Sequence, residues 1–243
     1  MMNYSINSIS PVNQGDCKKL PFLYLALPVM DEPDFLFRTL NCISVQRYRR
    51  FKLIICINQP DSWWSDPVKS LVCRHNMESL EMLKGWEGSE MVVLDHSSKG
   101  LGWTGKRHGV GFARKAIMDY ISCEAENGDI IVSIDADTCF SPDYLLSIAR
   151  NFANHQKMVA LSAPYYHNTT GDEAADRAIL RYEIYMRHYF LNMAFIGSPY
   201  TFSALGSAMA ATVWAYRSIG GMTPKLSGED FYFLQKLRKF GHV

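Results

Sequence analysis

Short apolar runs separated by helical patterns organise the first two thirds of the chain. Pro21-Phe-Leu-Tyr-Leu-Ala-Leu-Pro28 is an unbroken apolar run closed by proline, and it predicts a buried strand. Pro33 and Asp34 open a helical pattern with Phe35, Leu36, Leu40 and Ile43 on one side. The β-branched run Phe51-Lys-Leu-Ile-Ile-Cys-Ile57 predicts a second strand, with Asn58-Gln-Pro-Asp-Ser as the loop after it. A helix is expected over about Val68 to Leu83, then a strand at Met91-Val-Val-Leu94 and a Gly-rich segment from Lys99 to Gly111. Val110, Ala113, Ile117, Tyr120 and Ile121 repeat at helical spacing. After the turn Asn127-Gly128-Asp129, the run Ile130-Ile-Val-Ser-Ile134 is a fourth strand that ends in Asp135-Ala136-Asp137. Ser141 and Pro142 are expected to start the next helix as N-cap and first residue.

The pattern changes after Met158-Val-Ala-Leu161. Residues 173–195 read as a long helix rich in aromatics and methionine, 197–222 are mostly small, and a last helix starts near Glu229. Strands alternating with helices imply right-handed βαβ units and a mostly parallel sheet flanked by helices. Ligands of such sheets bind beyond the carboxyl ends of the strands. The loops at Asp31, Asn58, Lys99 and Asp135 all follow strands, so they should gather along one edge. Residues 1–19 are polar and patternless and read as a flexible leader; 20–243 read as a single domain, without linker or repeat.

Composition narrows the picture. The 243 residues are 48% hydrophobic and 20% charged, enough for one sizeable core. A net charge of +1 provides no field for nucleic acid or acidic lipid. The six cysteines are scattered, without zinc spacing, as expected of free thiols in a reduced cytoplasm. No apolar run reaches the length of a membrane helix. Phe190 to Tyr216 comes nearest and is broken by Gly197, Pro199 and Gly206; a buried helix and loop is expected there, with an interfacial face near lipid as the other reading.

Asp135-Ala136-Asp137 is the sharpest chemical feature. Two carboxylates at i and i+2 past an apolar strand can both reach the crevice, and hard oxygen ligands suit Mg²⁺ or Mn²⁺ bridging a diphosphate. A capping or turn Asp pair is the plain alternative. A dehalogenase-type phosphatase motif fits poorly, because Thr138 comes one place early. Gly100-Leu-Gly-Trp-Thr-Gly105-Lys106-Arg107 has P-loop spacing, but Arg107 stands where a hydroxyl must bind Mg²⁺. A nucleotide hydrolase is therefore the rival reading. Lys99, Lys106, Arg107, Arg114 and Lys115 lie on or after a Gly-rich turn entering a helix, where cations and backbone amides favour a diphosphate. Arg114 and Lys115 could equally be a solvated face. Ser227-Gly228-Glu229-Asp230 puts two acids at a helix start, as cap or as a base facing a hydroxyl.

Together these residues resemble family 2 glycosyltransferases, from about Phe22 to the C-terminus. Pro28-Val-Met-Asp31-Glu32 looks like the family's first nucleotide loop, and Ser44-Val-Gln46-Arg-Tyr48 like the end of its first helix. Gly111-Phe-Ala-Arg114 resembles its G-x-x-x-A-R-N type segment, Ile134 to Asp137 its D-x-D strand, Gly220-Gly221-Met222 its I-G-G-F turn, and Gly228-Glu229-Asp230 its E-D motif. The resemblance implies an inverting enzyme of α/β, GT-A (Rossmann-like) fold with a mixed, mostly parallel sheet flanked by helices, a nucleotide half over about 20–140 and an acceptor half over 141–243. Its donor would be a UDP- or GDP-type nucleotide diphosphosugar and its acceptor a glycan or lipid-linked hydroxyl. Location would be cytoplasmic, with room for peripheral membrane contact, and polysaccharide assembly is the family's habit. Asp137 would be the main ligand of Mg²⁺ or Mn²⁺, and Asp135 would contact ribose or metal. Asp31, Glu32, Asn58, Lys106, Arg107 and Arg114 would serve the donor. Asp230 would be the base, with Glu229 beside it. A catalytically inactive sugar-nucleotide-binding domain carries the same motifs. Asn58 stands where an Asp often meets the nucleobase, and the Q-x-x-R-W motif of processive members is absent. The chain stops at Val243, which fits a compact non-processive enzyme or a shortened chain.

Overall fold

The computed structural model describes residues 20–105, 108–225 and 228–243. The expected leader over 1–19 lies outside them. The described elements run β1 (Leu23–Val29), α1 (Pro33–Ser44), β2 (Phe51–Asn58), α2 (Ser70–Lys84), β3 (Met91–His96), α3 (Val110–Glu124), β4 (Ile130–Ser133) and α4 (Tyr144–Asn154). Then follow β5 (Ala160–Ser162), α5 (Glu173–Phe195), β6 (Met209–Thr212), α6 (Val213–Ser218) and α7 (Glu229–Arg238).

One six-stranded sheet has the order β3-β2-β1-β4-β6-β5. Strands β3, β2, β1 and β4 are parallel, and β6 runs antiparallel between β4 and β5. Every residue of β1 and β2 is buried, because helices cover both faces. Alternation divides β1: Leu23, Leu25, Leu27 and Val29 pack with α1 and α4, while Tyr24 and Ala26 pack with α3, α6 and α7. The chain leaves β1 toward β2 and leaves β4 toward the other side, so a crevice opens between their carboxyl ends.

Several expectations need correction. The helix α4 starts at Tyr144 with Asp143 as N-cap, not at Ser141 and Pro142. The Ser141 carbonyl accepts from Gln46 Nε2 and the Tyr144 N–H, and the Pro142 carbonyl accepts from the Arg47 N–H, which holds that stretch as a turn. Phe35 is exposed, and Leu36, Thr39, Leu40 and Ile43 form the buried face of α1. The run from Phe190 to Tyr216 divides in two. Val213, Ala215 and Tyr216 are buried, but the end of α5 stands in solvent, with Phe195 90% exposed. None of the described helices is long and apolar enough to cross a membrane. The five described cysteines, Cys42, Cys56, Cys73, Cys123 and Cys139, are free thiols.

Glu183 is the one buried residue of α5 and ties the helix to the preceding loop. Its Oε1 accepts from the His167 N–H at 2.6 Å, and its Oε2 from Arg187 Nη1 at 2.6 Å. The His167 bonds first, and then Arg187, hold its carboxyl down at about 2. A depressed carboxylate stabilises the fold fully above its unfolded value near 4.5, and the contribution is lost as pH falls toward 2. Glu183→Gln should therefore cost about 1–2 kcal/mol at pH 5, the scale of charged hydrogen bonds. Denaturant melts of both proteins should converge as pH drops through that window. A difference that does not change with pH would contradict this.

Candidate functional site

The crevice is a pocket of about 150 Å³ lined by Pro28, Val29, Met30, Glu32, Asn58, Val110, Asp135 and Asp137. Four of the expected site residues, Glu32, Asn58, Asp135 and Asp137, thus meet in one place. Ala136 is fully buried between the two aspartates, so the turn anchors itself in the core and leaves Asp135 and Asp137 toward the crevice. Thr39 of α1 pins this turn from below: its hydroxyl lies 2.6 Å from the Ala136 carbonyl and 3.0 Å from that of Thr138.

Glu32 is the N-cap residue of α1, with Pro33 at the first helical position. Burial first, then the charges of Asp137 and Asp135, push its carboxyl up to about 7. The three carboxyls thus crowd one crevice closely enough to disfavour the charged form of Glu32. Asp135 meets Arg114 at 2.5 Å, whereas Asp137 is exposed and has no hydrogen-bond partner among the described residues.

Asp31 sits just beside the pocket. Its φ of 65° is the left-handed region that Asp and Asn tolerate best. Its carboxylate meets His75 Nδ1 at 2.6 Å, and its N–H donates to Asn76 Oδ1 at 2.9 Å. Asn76 Nδ2 also reaches Gln59 Oε1 at 2.8 Å, which ties the first two strand-end loops together. Asn58 is buried and donates through Nδ2 to the Val29 carbonyl at 3.0 Å, and its Oδ1 is buried without a partner. A buried amide oxygen left unpaired at a pocket wall is a ready acceptor for a ligand N–H.

The Gly-rich segment is stitched to the loop after β2. The Trp103 N–H donates to the Gln59 carbonyl at 2.8 Å, and the Asp61 N–H donates to the Trp103 carbonyl at 3.0 Å. A side chain at Gly102 would lie 2.7 Å from the Asp61 backbone, so glycine is needed there for close approach. Asp61 Oδ1 accepts from the Gly100 N–H at 2.7 Å. These amides serve the protein rather than a P-loop phosphate. Lys106, Arg107 and Ser227 lie outside the described residues. The segment enters α3 at Gly109 (φ 101°), with no capping side chain among the described residues; the Phe112 N–H is taken by the Gly109 carbonyl at 3.0 Å, and the amides of Val110 and Gly111 face an N-terminus suited to an anion.

Arg114 is buried at 4% exposure, which closes the alternative of a solvated face for it. It pairs with Asp135 and with Glu229 Oε1. Lys115 is half-exposed and pairs with Asp119 at 2.7 Å. Glu229 is itself buried. Asp230 is half-buried, and its Oδ1 accepts from the Phe231 N–H at 2.7 Å. The Tyr182 phenol of α5 is raised by burial, then by Tyr165 and Asp230.

Trp103 is half-buried and stacks on His96, with ring centroids 4.0 Å apart. Tyr166 and Trp214 are exposed. The Trp214 N–H donates to the Asn127 carbonyl, at the end of β4 opposite the crevice. Thr39, His75 and Asn76 are the supporting residues that sequence patterns alone did not single out; Thr39 and Asn76 are polar positions on otherwise buried helix faces.

Residues 130–242 match the model for glycosyl transferase family group 2. No curated protein matches the sequence. Among solved structures, S. aureus TarS 1-349 is 12% identical, with 90% of this chain and 56% of that chain covered and a TM-score of 0.52. Glucosyl-3-phosphoglycerate synthase from Mycobacterium tuberculosis, in complex with Mn²⁺, UDP-glucose and glycerol 3-phosphate, is 12% identical, with 97% and 73% covered and a TM-score of 0.55. The same synthase in complex with UDP gives 13%, 93% and 69%, with a TM-score of 0.54. This chain therefore spans little more than half of the TarS fragment it matches. The mixed, mostly parallel sheet with flanking helices is the GT-A fold of these neighbours.

Proposed function

We propose that this chain, whose GT-A fold and matched segment over 130–242 support a family 2 glycosyltransferase, moves a sugar from a nucleotide diphosphosugar to an acceptor hydroxyl with inversion. The crevice carries this reading: Asp135, Asp137 and Glu32 gather their carboxyl oxygens at the β1–β4 switch point, with Asp137 free of any partner among the described residues. Their hard oxygens fit Mg²⁺ or Mn²⁺, with remaining coordination from diphosphate and water; the described residues contain no ready group of three ligands. When bound, that ion offsets the charge growing on the leaving diphosphate.

The chain's own residues would divide the rest of the work. Asn58 Oδ1 would accept an N–H of a uracil or guanine edge. The open amides at the start of α3 would hold diphosphate oxygens, with Lys106 and Arg107 as further cations of the same loop. Asp31 would set the first loop against His75 and contact the donor from the rim. Asp230 would take the proton of the acceptor hydroxyl, which then attacks the anomeric carbon from the face opposite the diphosphate. Glu229 would support the helix start rather than act as base, because Arg114 engages it. TarS and the synthase suggest a UDP-type donor, one with an acceptor as small as glycerol 3-phosphate in its complex. Polysaccharide or lipid-linked acceptors, a single catalytic domain over 20–243 and a cytoplasmic, membrane-associated setting complete the proposal.

The test is a donor panel. The protein with Mn²⁺, UDP- and GDP-sugars, and glycan or small polyol-phosphate acceptors should release nucleotide diphosphate and form a glycoside of inverted anomeric configuration by NMR. Retained configuration would overturn the mechanism. Nucleotide-sugar binding without release or transfer would leave an inactive binding domain.

A further inference from the structure

Arg114 stands between the two halves of the site. On α3 it falls in phase with the buried Ile117 and Ile121, so its side chain turns inward. Nη2 lies 2.5 Å from Asp135 Oδ1, and Nη1 pairs with Glu229 Oε1; these partners are 21 and 115 residues away along the chain. Asp135 sits past the end of β4, beside Asp137, and Glu229 begins α7, beside Asp230. Nε is buried without a partner, so the two carboxylates are the guanidinium's anchors among the described residues.

Two glycines allow this arrangement. A side chain at Gly111 would meet the Lys225 carbonyl at 2.8 Å and Glu229 Cγ at 3.4 Å, and one at Gly206 would run into the Arg114 guanidinium. The backbone thus closes tightly around a buried cation gripped by one acid from each half. Guanidinium–carboxylate pairing is directional, and breaking a buried pair leaves an uncompensated charge, so a shift at one end must be felt at the other.

We propose that Arg114 is a positioning residue that couples the donor-side turn Asp135–Asp137 to the acceptor helix α7. It aims Asp135 on one side and fixes the entry of α7, and so the placement of Asp230, on the other. What the two ends serve rests on the glycosyltransferase reading; the coupling itself is a property of the free chain. Coupling of this kind is reciprocal, so occupation of the donor crevice alters the start of α7 as much as changes in α7 alter donor affinity.

Amide hydrogen exchange on the ligand-free protein tests the coupling. The Thr138 N–H, bonded to the Asp135 carbonyl at 3.1 Å, reports the donor-side turn. Glu229→Gln keeps the shape of the side chain and removes its charge, and it should speed exchange at Thr138 by at least about 3-fold, the effect of losing roughly half a pair's hold. Glu183→Gln, outside this network, should leave Thr138 at the parental rate. Arg114→Lys should disturb the turn less than Arg114→Met, which separates a positioning cation from general loss of packing; if Arg114→Met does not fold, Glu229→Gln and Arg114→Lys still decide the matter. Calorimetry with UDP and Mn²⁺ supplies the second readout: Glu229→Gln should weaken binding roughly 3- to 10-fold, and adding Arg114→Met should bring no loss beyond Arg114→Met alone. Parental exchange at Thr138 in Glu229→Gln, or additive losses in the double variant, would overturn the proposal. Coupled exchange in a parent that binds no UDP would remove the glycosyltransferase reading and leave the coupling intact.

Discussion

Asp137→Ala should weaken UDP or GDP binding by about two orders of magnitude in Mn²⁺, about 2.8 kcal/mol at 1.4 kcal/mol per tenfold, and should change it little in EDTA. Asp137 is the exposed member of the acid pair and has no partner among the described residues, so no hydrogen bond or ion pair among them depends on its charge. Asp135, by contrast, is engaged by Arg114. Removing Asp137 takes away the freer hard oxygen ligand while leaving the turn held by Thr39 and the buried Ala136. Thermal melts should therefore be parental, and the loss should appear only where metal is present. Equal affinity of variant and parent in Mn²⁺ would contradict the assignment of Asp137.

Asp230→Asn should cut sugar transfer by at least about 100-fold, the lower range for losing a general base, and leave donor binding near parental. The substitution keeps size and the bond from the Phe231 N–H but cannot take a proton. Asp230 stands in the first turn of α7, where a negative charge also favours the helix dipole, so its loss there costs less than about 1 kcal/mol of stability. Steady-state transfer and circular dichroism on the same preparation separate the two roles. A folded variant with near-parental transfer would leave Asp230 as a helix-start residue only.

The central sheet was legible because β1, β2 and β4 are nearly uninterrupted apolar runs, and burial on both faces demands that pattern. Strand β6, Met-Ala-Ala-Thr, was not, since small residues carry no strand pattern and its place depends on antiparallel pairing with β4 and β5. The start of α4 was misplaced because Gln46 and Arg47, far away in sequence, occupy the carbonyls of Ser141 and Pro142. At the site, strand-end acids announced themselves through position, and the structure gathers Glu32, Asn58, Asp135 and Asp137 in one pocket. For Arg114 a donor-binding cation and a solvated face both stood open, yet its phase with Ile117 and Ile121 already turned it inward. The exposed apolar face of α5 has no sequence sign that distinguishes it from a core helix, because its aromatics and aliphatics occur on almost every side.

The most direct test of the glycosyltransferase reading is a calorimetric comparison of UDP, GDP and ATP on the unmodified chain, each with Mn²⁺ and then with EDTA. Binding of UDP or GDP in Mn²⁺, lost on chelation and not matched by ATP, is expected. Preferential binding of ATP, accompanied by its hydrolysis without any acceptor, would contradict it.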